Sequence, residues 1–302
     1  MFLHFLRHGR LARAVVILAT SGLQPGLLHA HDTFFRVDDY QVDAGDTVEV
    51  RVFHGTFDES VMRIETAHVE RLFLAGPKGE SDIGTSGWKQ EGFGSRPWGK
   101  WQALRAWAGA IDERLTSHFE VTLPQEGSYM IAMSLEPAGA AMAPEVFNKY
   151  LAEQGLQNEP VARHGIINPN AIITERWRKY VKLLLQAGDE RTANVTEPAG
   201  LVVEFVPLTH PAETKAGETL EFQLLLRGQP LAGQPVVAGR EKPAFGDAPP
   251  HVFLRSNAGG RVSVPIDDSG VWWLSFTHIA RAHPRDEMMW NSHWATLTFE
   301  IP

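Results

Sequence analysis

Residues 118–133, HFEVTLPQEGSYMIAM, contain the pattern that decides the fold class of this 302-residue chain. Apolar and polar side chains alternate up to Leu123, as they do in a strand with one buried face. Pro124 then ends this strand, and Gly127 opens a second strand with a tyrosine near its start. Two strands joined by a short Pro-containing turn predict a β-hairpin of the type that is frequent in immunoglobulin-like sandwiches.

Similar strand patterns run along most of the chain on both sides of this segment. They cover residues 47–53 and 69–74 before it, and residues 201–207, 219–226, 261–264, 269–276 and 294–301 after it. About seven short strands in roughly 100 residues are typical of an immunoglobulin-like or transthyretin-like sandwich. We therefore predict a mainly β chain with an N-terminal β-sandwich at residues 31–199 and a C-terminal β-sandwich at residues 200–302.

Two segments between these strands predict α-helices. Residues 144–155 begin with a proline and end with a glycine, which is the usual asymmetry of a helix. Residues 174–187 begin with a threonine that can cap a helix, carry apolar side chains at helical spacing and stop before Gly188. We expect these two α-helices to be inserted between the two β-sandwiches.

The first 30 residues predict a secretory signal peptide. Three arginines and no acidic residue precede residue 14, and an apolar stretch extends to about residue 23. This stretch is shorter than the roughly 20 residues of a membrane-spanning helix, and Ala30 offers signal peptidase a small side chain. We expect cleavage after Ala30, a periplasmic protein without a stable membrane anchor, and a mature chain that begins with His31.

The composition excludes several classes of function. The formal net charge of −8 becomes −11 when the three arginines of the signal peptide leave. This acidic balance argues against nucleic acid and anionic membranes as partners. The sequence has no cysteine, so disulfides, thiolate catalysis and cysteine-ligated metal sites are excluded. Histidine is then the main nitrogen ligand left for a transition metal.

Cleavage after Ala30 would give His31 two nitrogen donors, an imidazole and a free α-amine. The ordinary pKa of such an amine is about 7.7–8.0 and that of imidazole about 6.5, so both lose their protons readily near neutral pH. One or two further histidines would complete a square-planar or tetragonal nitrogen site. Sites of this kind suit Cu(II) or Ni(II).

Histidines at the ends of predicted strands are the candidates for the further ligands, because loops at strand ends present side chains. The candidates are His54, His278 and His283, with His293 as a lesser one, while Met288 and Met289 could add soft thioether ligands for Cu(I). An ordinary role as a core or surface side chain remains the alternative for each of them.

A set of short motifs along the chain resembles a known bacterial family. The motifs are His31-Asp32, FNKYLAEQGL at residues 147–156, RKYVK at 178–182, LLRGQPLAG at 225–233, GVW at 270–272 and WNSHWATLTF at 290–299. Together they resemble a domain-of-unknown-function family that is often described as a periplasmic component of cobalt/nickel transport. The resemblance implies a metal-related periplasmic role, a histidine at the mature N-terminus, matched by His31, and a histidine after the Gly-x-Trp strand, matched by His278.

We therefore expect an exported protein that binds a nickel, cobalt or copper ion and passes it to, or collects it for, an uptake or resistance system. Its partners would be the metal ion and a membrane transporter or outer-membrane receptor. The expected ligands are His31, His54, His278 and His283, and no catalytic residue is predicted. Two alternatives remain open: a copper oxidase that uses His31 in a histidine brace, and a metal-free adhesion or scaffold module of the cell envelope.

Overall fold

Strands make up most of the chain in the computed structural model, which describes residues 31–90, 116–159, 161–162, 171–243 and 249–302. The mainly β fold class is therefore confirmed. The predicted signal peptide, residues 1–30, lies outside the described residues.

The strands in chain order are β1 (Asp32–Arg36), β2 (Gln41–Val42), β3 (Thr47–Gly55), β4 (Ser60–Met62), β5 (Val69–Gly76), β6 (Gly79–Asp82), β7 (Lys89–Gln90), β8 (Ser117–Thr122), β9 (Gly127–Leu135), β10 (Ala138–Met142), β11 (Ile173–Ala187), β12 (Val203–Pro207), β13 (Thr219–Leu226), β14 (Gln229–Pro230), β15 (Pro235–Arg240), β16 (Val252–Arg255), β17 (Arg261–Pro265), β18 (Gly270–Arg281) and β19 (Trp290–Ile301). Helix α1 (Pro144–Glu153) lies between β10 and β11.

These strands form three sheets. Sheet A has the order β1-β3-β8-β7, with β4 beside β3. Sheet B has ten strands in the order β16-β15-β18-β19-β11-β9-β5-β6, with β2 and β10 beside β11. Sheet C has the order β12-β13-β14, with β17 beside β13.

Sheet B lies between the other two sheets, because successive residues of its strands pack into different cores. On β11, Val181, Leu183 and Leu185 lie in a core shared with sheet A, whereas Tyr180 and Leu184 lie in a core shared with sheet C. Neighbouring side chains of a strand point to opposite faces. The two cores therefore cover opposite faces of sheet B.

The two strands predicted at residues 118–133 are present as β8 and β9, but the predicted hairpin between them is wrong. β8 pairs with β3 in sheet A, and β9 pairs with β5 and β11 in sheet B. The connection crosses from one sheet to the other, and Phe119 and Ile131 meet in the core between them. The Tyr129 hydroxyl donates to the carbonyl of Gln125 at 2.9 Å, a contact that resembles the tyrosine corner of immunoglobulin-like sandwiches.

The helix predicted at residues 174–187 is also wrong, because this segment is strand β11. β11 pairs in parallel with β19 and antiparallel with β9 and β10. A strand that is buried on both faces reads as a continuous apolar run, and such a run also places apolar residues at helical spacing. The segment forms a strand rather than a helix because β19 and β9 pair with it on its two sides.

The other predicted helix is confirmed as α1, which ends two residues before the predicted Gly155. Gly155 has a φ of +69°, the left-handed conformation that commonly terminates helices. The buried face of α1 presents Phe147 and Tyr150 to Trp290 and Trp294 of sheet B. No helix within the described part of the chain is long and apolar enough to cross a membrane.

Both of the predicted domains, which meet between residues 199 and 200, contribute strands to sheet B. Strands β5, β6, β9 and β11 of this sheet precede the boundary, and β15, β16, β18 and β19 follow it. The parallel pairing of β11 with β19 joins the two parts. The division of the chain into two domains stays a prediction.

Candidate functional site

His31 and His54 lie side by side at one end of sheet A. Their ring centroids are 5.6 Å apart, and the ring planes are inclined by 49°. In the pairing of β1 with β3, Thr33 stands directly opposite His54, and His31 precedes Thr33 by two residues. The structure therefore brings together two of the four predicted metal ligands.

The surroundings of His54 fix both its ring and its backbone. The side chain is only 5% exposed, and its Nδ1 is 2.8 Å from the Thr33 hydroxyl oxygen. Its backbone N–H donates to Ser60 Oγ at 3.1 Å. Because Nδ1 is engaged by Thr33, Nε2 is the nitrogen that His54 can direct toward a metal.

His54 is held in the neutral form. Burial lowers its pKa well below the usual range, and the positive charges of Lys179 and His31 lower it further. Neutral imidazole is the form that binds metals, so no proton has to leave His54 at neutral pH.

A buried group of charged side chains lies beside the two histidines. It consists of Asp32, Glu175 and Lys179, and the Lys179 ammonium donates a hydrogen bond to the main-chain carbonyl of His31. Burial lowers the pKa of Lys179 to about 8, although the two carboxylates oppose this shift. Burial also raises the pKa of Asp32 to about 6, against the attraction of Lys179. Sequence reasoning missed this group, because the segment that carries Glu175 and Lys179 was predicted as a helix.

Hydrogen bonds connect this charged group to α1 and to sheet B. Gln154 donates to the Asp32 carboxylate at 3.3 Å and accepts from the Thr277 hydroxyl at 3.1 Å. Tyr150 donates to Glu175 at 3.0 Å. The first residues of β1 are therefore tied to the end of α1 and to β18, which fixes the position of His31.

His278 does not join His31 and His54. It stands directly opposite His293 in the pairing of β18 with β19. The preceding residue, Thr277, faces Gln154 and the charged group, so His278 points to the opposite face of sheet B. Among the residues that the structure describes, no group of three or more histidine, aspartate and glutamate side chains could hold a metal ion.

The surroundings of the His278–His293 pair oppose a cation. Burial lowers the pKa of His278, and the charge of Arg227 lowers it further. The pKa of His293 falls to about 4 through burial, the neighbouring His278 and the charges of Arg227 and Arg178. Two nearby guanidinium groups would repel a divalent metal as they repel a proton, whereas the ammonium of Lys179 near His54 has the carboxylates of Asp32 and Glu175 beside it.

The remaining predicted ligands lie in local structure after β18. His283 is exposed, and its Nδ1 accepts from the backbone N–H of Arg285 at 3.2 Å within a turn. Met289 packs against the core beneath α1, and the end of the Met288 side chain lies beside Gly139.

A serine–histidine contact elsewhere in the chain is not a catalytic pair. Ser128 Oγ is 2.7 Å from Nε2 of His210, whose Nδ1 accepts from the backbone N–H of Ala212. The neutral ring therefore carries its proton on Nε2 and donates it to Ser128, which in turn donates to Gln186. A ring that already donates to the serine cannot serve as its general base.

Solved structures similar to parts of this chain include the following two. The D0-D1 domain of intimin matches with a TM-score of 0.18 and 6% identity, over 89% of this chain and 97% of that chain. The Escherichia coli adhesin FdeC matches with a TM-score of 0.17 and 9% identity, over 88% of this chain and 64% of that chain. No curated protein matches the chain.

A family model described as "Domain of unknown function (DUF4198)" matches residues 28–280, which is most of the sequence. This match confirms the resemblance to a domain-of-unknown-function family, while the nickel and cobalt role stays a prediction. The chain belongs to the DUF4198 family.

Proposed function

We propose that this chain is an exported periplasmic protein that binds a transition metal ion at its mature N-terminus. Its role would be the uptake or handling of copper, nickel or cobalt, with a membrane transporter or an outer-membrane receptor as partner. The observation that carries the proposal is the 5.6 Å separation of the His31 and His54 rings.

This separation fits two imidazoles on one metal ion. Nitrogen ligands lie about 2.0–2.1 Å from metals of this size, which puts the centroids of two bound rings roughly 4.5–6 Å apart. The α-amine that cleavage after Ala30 would create supplies a third nitrogen from the same residue as one of the rings. Three nitrogen donors favour Cu(II) or Ni(II), and copper binds most tightly in the usual order of affinities.

Residues around the two rings support the same proposal. Thr33 holds Nδ1 of His54, and ligands oriented by such partners bind metals better than free ones. The Lys179 hydrogen bond to the carbonyl of His31 fixes the residue whose amine and ring would both bind. The site would therefore be formed largely before the metal arrives.

Calorimetric titration of the processed protein with Cu(II), Ni(II), Co(II) and Zn(II) tests the proposal. We expect one equivalent of Cu(II) to bind tightly, and His54→Ala to weaken this binding at least about tenfold. Because His54 is buried, a second variant changes no core side chain: one alanine retained before His31 converts its α-amine into a peptide nitrogen, so the chelate of amine and ring on one residue is lost and binding should also weaken. The exposed His68→Ala is the matched control and should bind like the wild type.

Besides the absence of metal binding, two results would contradict the proposal. The extended protein would bind Cu(II) as tightly as the processed one, or mass spectrometry of protein exported by its host would show a first residue other than His31. Absence of binding for all four metals would overturn the proposal in favour of the metal-free scaffold or adhesion module.

The same ligand set favours one further candidate function, a copper oxidase with a histidine brace. An N-terminal histidine together with a second histidine is the ligand set that such a brace requires. This candidate predicts that the copper-loaded protein consumes peroxide in the presence of a reductant, faster than free copper does. A binding protein would show no such turnover.

We also propose that the two halves of the chain are sandwich modules, immunoglobulin-like or transthyretin-like, that share sheet B. The buried residues of the core between sheets A and B all precede residue 200, and most of those in the core between sheets B and C follow it, which supports this division. Proteolysis near residues 199–200 followed by separation of two folded fragments would support it, and unfolding of both fragments would contradict it.

A further inference from the structure

A methionine stands directly opposite His54 on the side away from β1. In the pairing of β3 with β4, the cross-strand partner of His54 is Met62. Side chains in such positions have Cβ atoms roughly 4.5–5.5 Å apart, and a long side chain easily spans that distance. His54 is therefore flanked by Thr33 on one neighbouring strand and by Met62 on the other.

The turn between β3 and β4 holds Met62 in this position. Gly55 begins the turn, and a Cβ atom at this residue would lie 2.2 Å from the carbonyl oxygen of Glu59. Ser60 Oγ accepts from the backbone N–H of His54 and donates to the carbonyl of Met62, both at 3.1 Å. One hydroxyl thus links the backbones of the two facing residues. The register also shifts beside His54, a local irregularity of the kind that redirects side chains near functional sites.

Packing does not account for the position of Met62. Its side chain is 44% exposed, and among the described strands β4 pairs only with β3. A single exposed apolar side chain is ordinary in itself. This one is distinguished by the buried, neutral imidazole opposite it and by the second imidazole 5.6 Å from that ring.

We propose that Met62 supplies a thioether ligand to the centre formed by His31 and His54, so that the centre binds copper as Cu(I) as well as Cu(II). The inference rests on the proposed metal site. Thioether sulfur is a soft ligand that selects Cu(I), whereas nickel and cobalt sites gain little from it.

The test compares Cu(I) and Cu(II) affinities of the processed protein, measured by competition with chelators specific for each oxidation state. Met62→Leu conserves side-chain volume and removes the sulfur. We expect it to weaken Cu(I) binding at least about tenfold and to change Cu(II) binding less than about threefold. Met288→Leu, a methionine outside the site, is the matched control and should change neither affinity.

Each outcome separates this inference from the proposed function. Unchanged Cu(I) affinity in Met62→Leu, with Cu(II) still bound through His54, would overturn the role of Met62 and leave the histidine site intact. Failure of the wild type to bind either ion would overturn both proposals. X-ray absorption of the Cu(I) protein provides an independent readout: a copper–sulfur distance should be present in the wild type and absent in Met62→Leu.

Discussion

Replacing Asp32 by asparagine should stabilise the metal-free protein at neutral pH. Burial raises the pKa of this carboxyl from its ordinary 3.8 to about 6, a value that already includes the attraction of Lys179. At 1.36 kcal/mol per unit, ionisation of Asp32 costs the folded state about 3 kcal/mol relative to the unfolded state. Asparagine resembles the protonated side chain in shape and does not ionise, so Asp32→Asn avoids this cost.

The pH dependence of this difference follows from linkage. Because the folded pKa lies above the unfolded one, the stability linked to Asp32 is fully present below about pH 3.8 and is lost as the pH rises through about 6. Relative to wild type, Asp32→Asn should therefore gain about 3 kcal/mol at pH 7 and less than about 1 kcal/mol at pH 4.

Urea unfolding of the processed, metal-free protein at several pH values between 4 and 8 measures this difference. The exposed Asp39→Asn is the matched control and should follow the wild type throughout. Lower stability of Asp32→Asn than of wild type at pH 7, or a difference that does not vary with pH, would refute the reasoning.

Three further substitutions test other parts of the structure. Thr33→Val removes the hydrogen bond that orients the buried imidazole, so Cu(II) affinity should fall about 10- to 100-fold in a chelator competition. Gly55→Ala places a Cβ atom 2.2 Å from the carbonyl oxygen of Glu59, so the unfolding free energy should fall by roughly 1–3 kcal/mol, as chemical denaturation would show. Lys182→Met leaves the carboxylate of Glu204 buried without its ammonium partner, which lies 3.0 Å away, so the unfolding free energy should fall by about 3–5 kcal/mol. Adding Glu204→Gln to the same chain should restore part of this loss, because it removes the unpaired charge. Each expectation fails if the variant matches the wild type in the stated measurement.

The sequence predicted most strands because alternation and turn residues are local signals. It could not predict how β8 and β9 are connected, since a Pro-containing turn permits both a hairpin and a crossing between sheets. It also could not distinguish β11 from a helix. The apolar run that contains Val181 and Leu185 fits both, and only the neighbours β9 and β19 on either side of it decide in favour of a strand.

That His31 and His54 lie close together was expected from the chemistry of metal ligands, since the sequence alone does not show which residues are in contact. A histidine at a cleaved N-terminus and a histidine at the end of the adjacent strand are both visible in the sequence. The sequence did not show that β18 points His278 to the other face of sheet B, because a shift of one residue exchanges the two faces of a strand.

Two groups near the site escaped sequence reasoning. The charged group around Lys179 was hidden by the incorrect helix, in which Glu175 and Lys179 would form an ordinary surface pair. Met62 was overlooked because its proximity to His54 depends on the tight turn that begins at Gly55. The sequence signal for this turn was Gly55 near the end of a predicted strand, followed five residues later by Ser60 and a short apolar segment that ends in Met62.

Electron paramagnetic resonance of the processed protein with one equivalent of Cu(II) tests the central claim most directly. A spectrum with couplings from three nitrogens is expected, and a donor should be lost both in His54→Ala and when one alanine is retained before His31. A spectrum that neither change alters would contradict a metal site made of the N-terminal amine and two imidazoles.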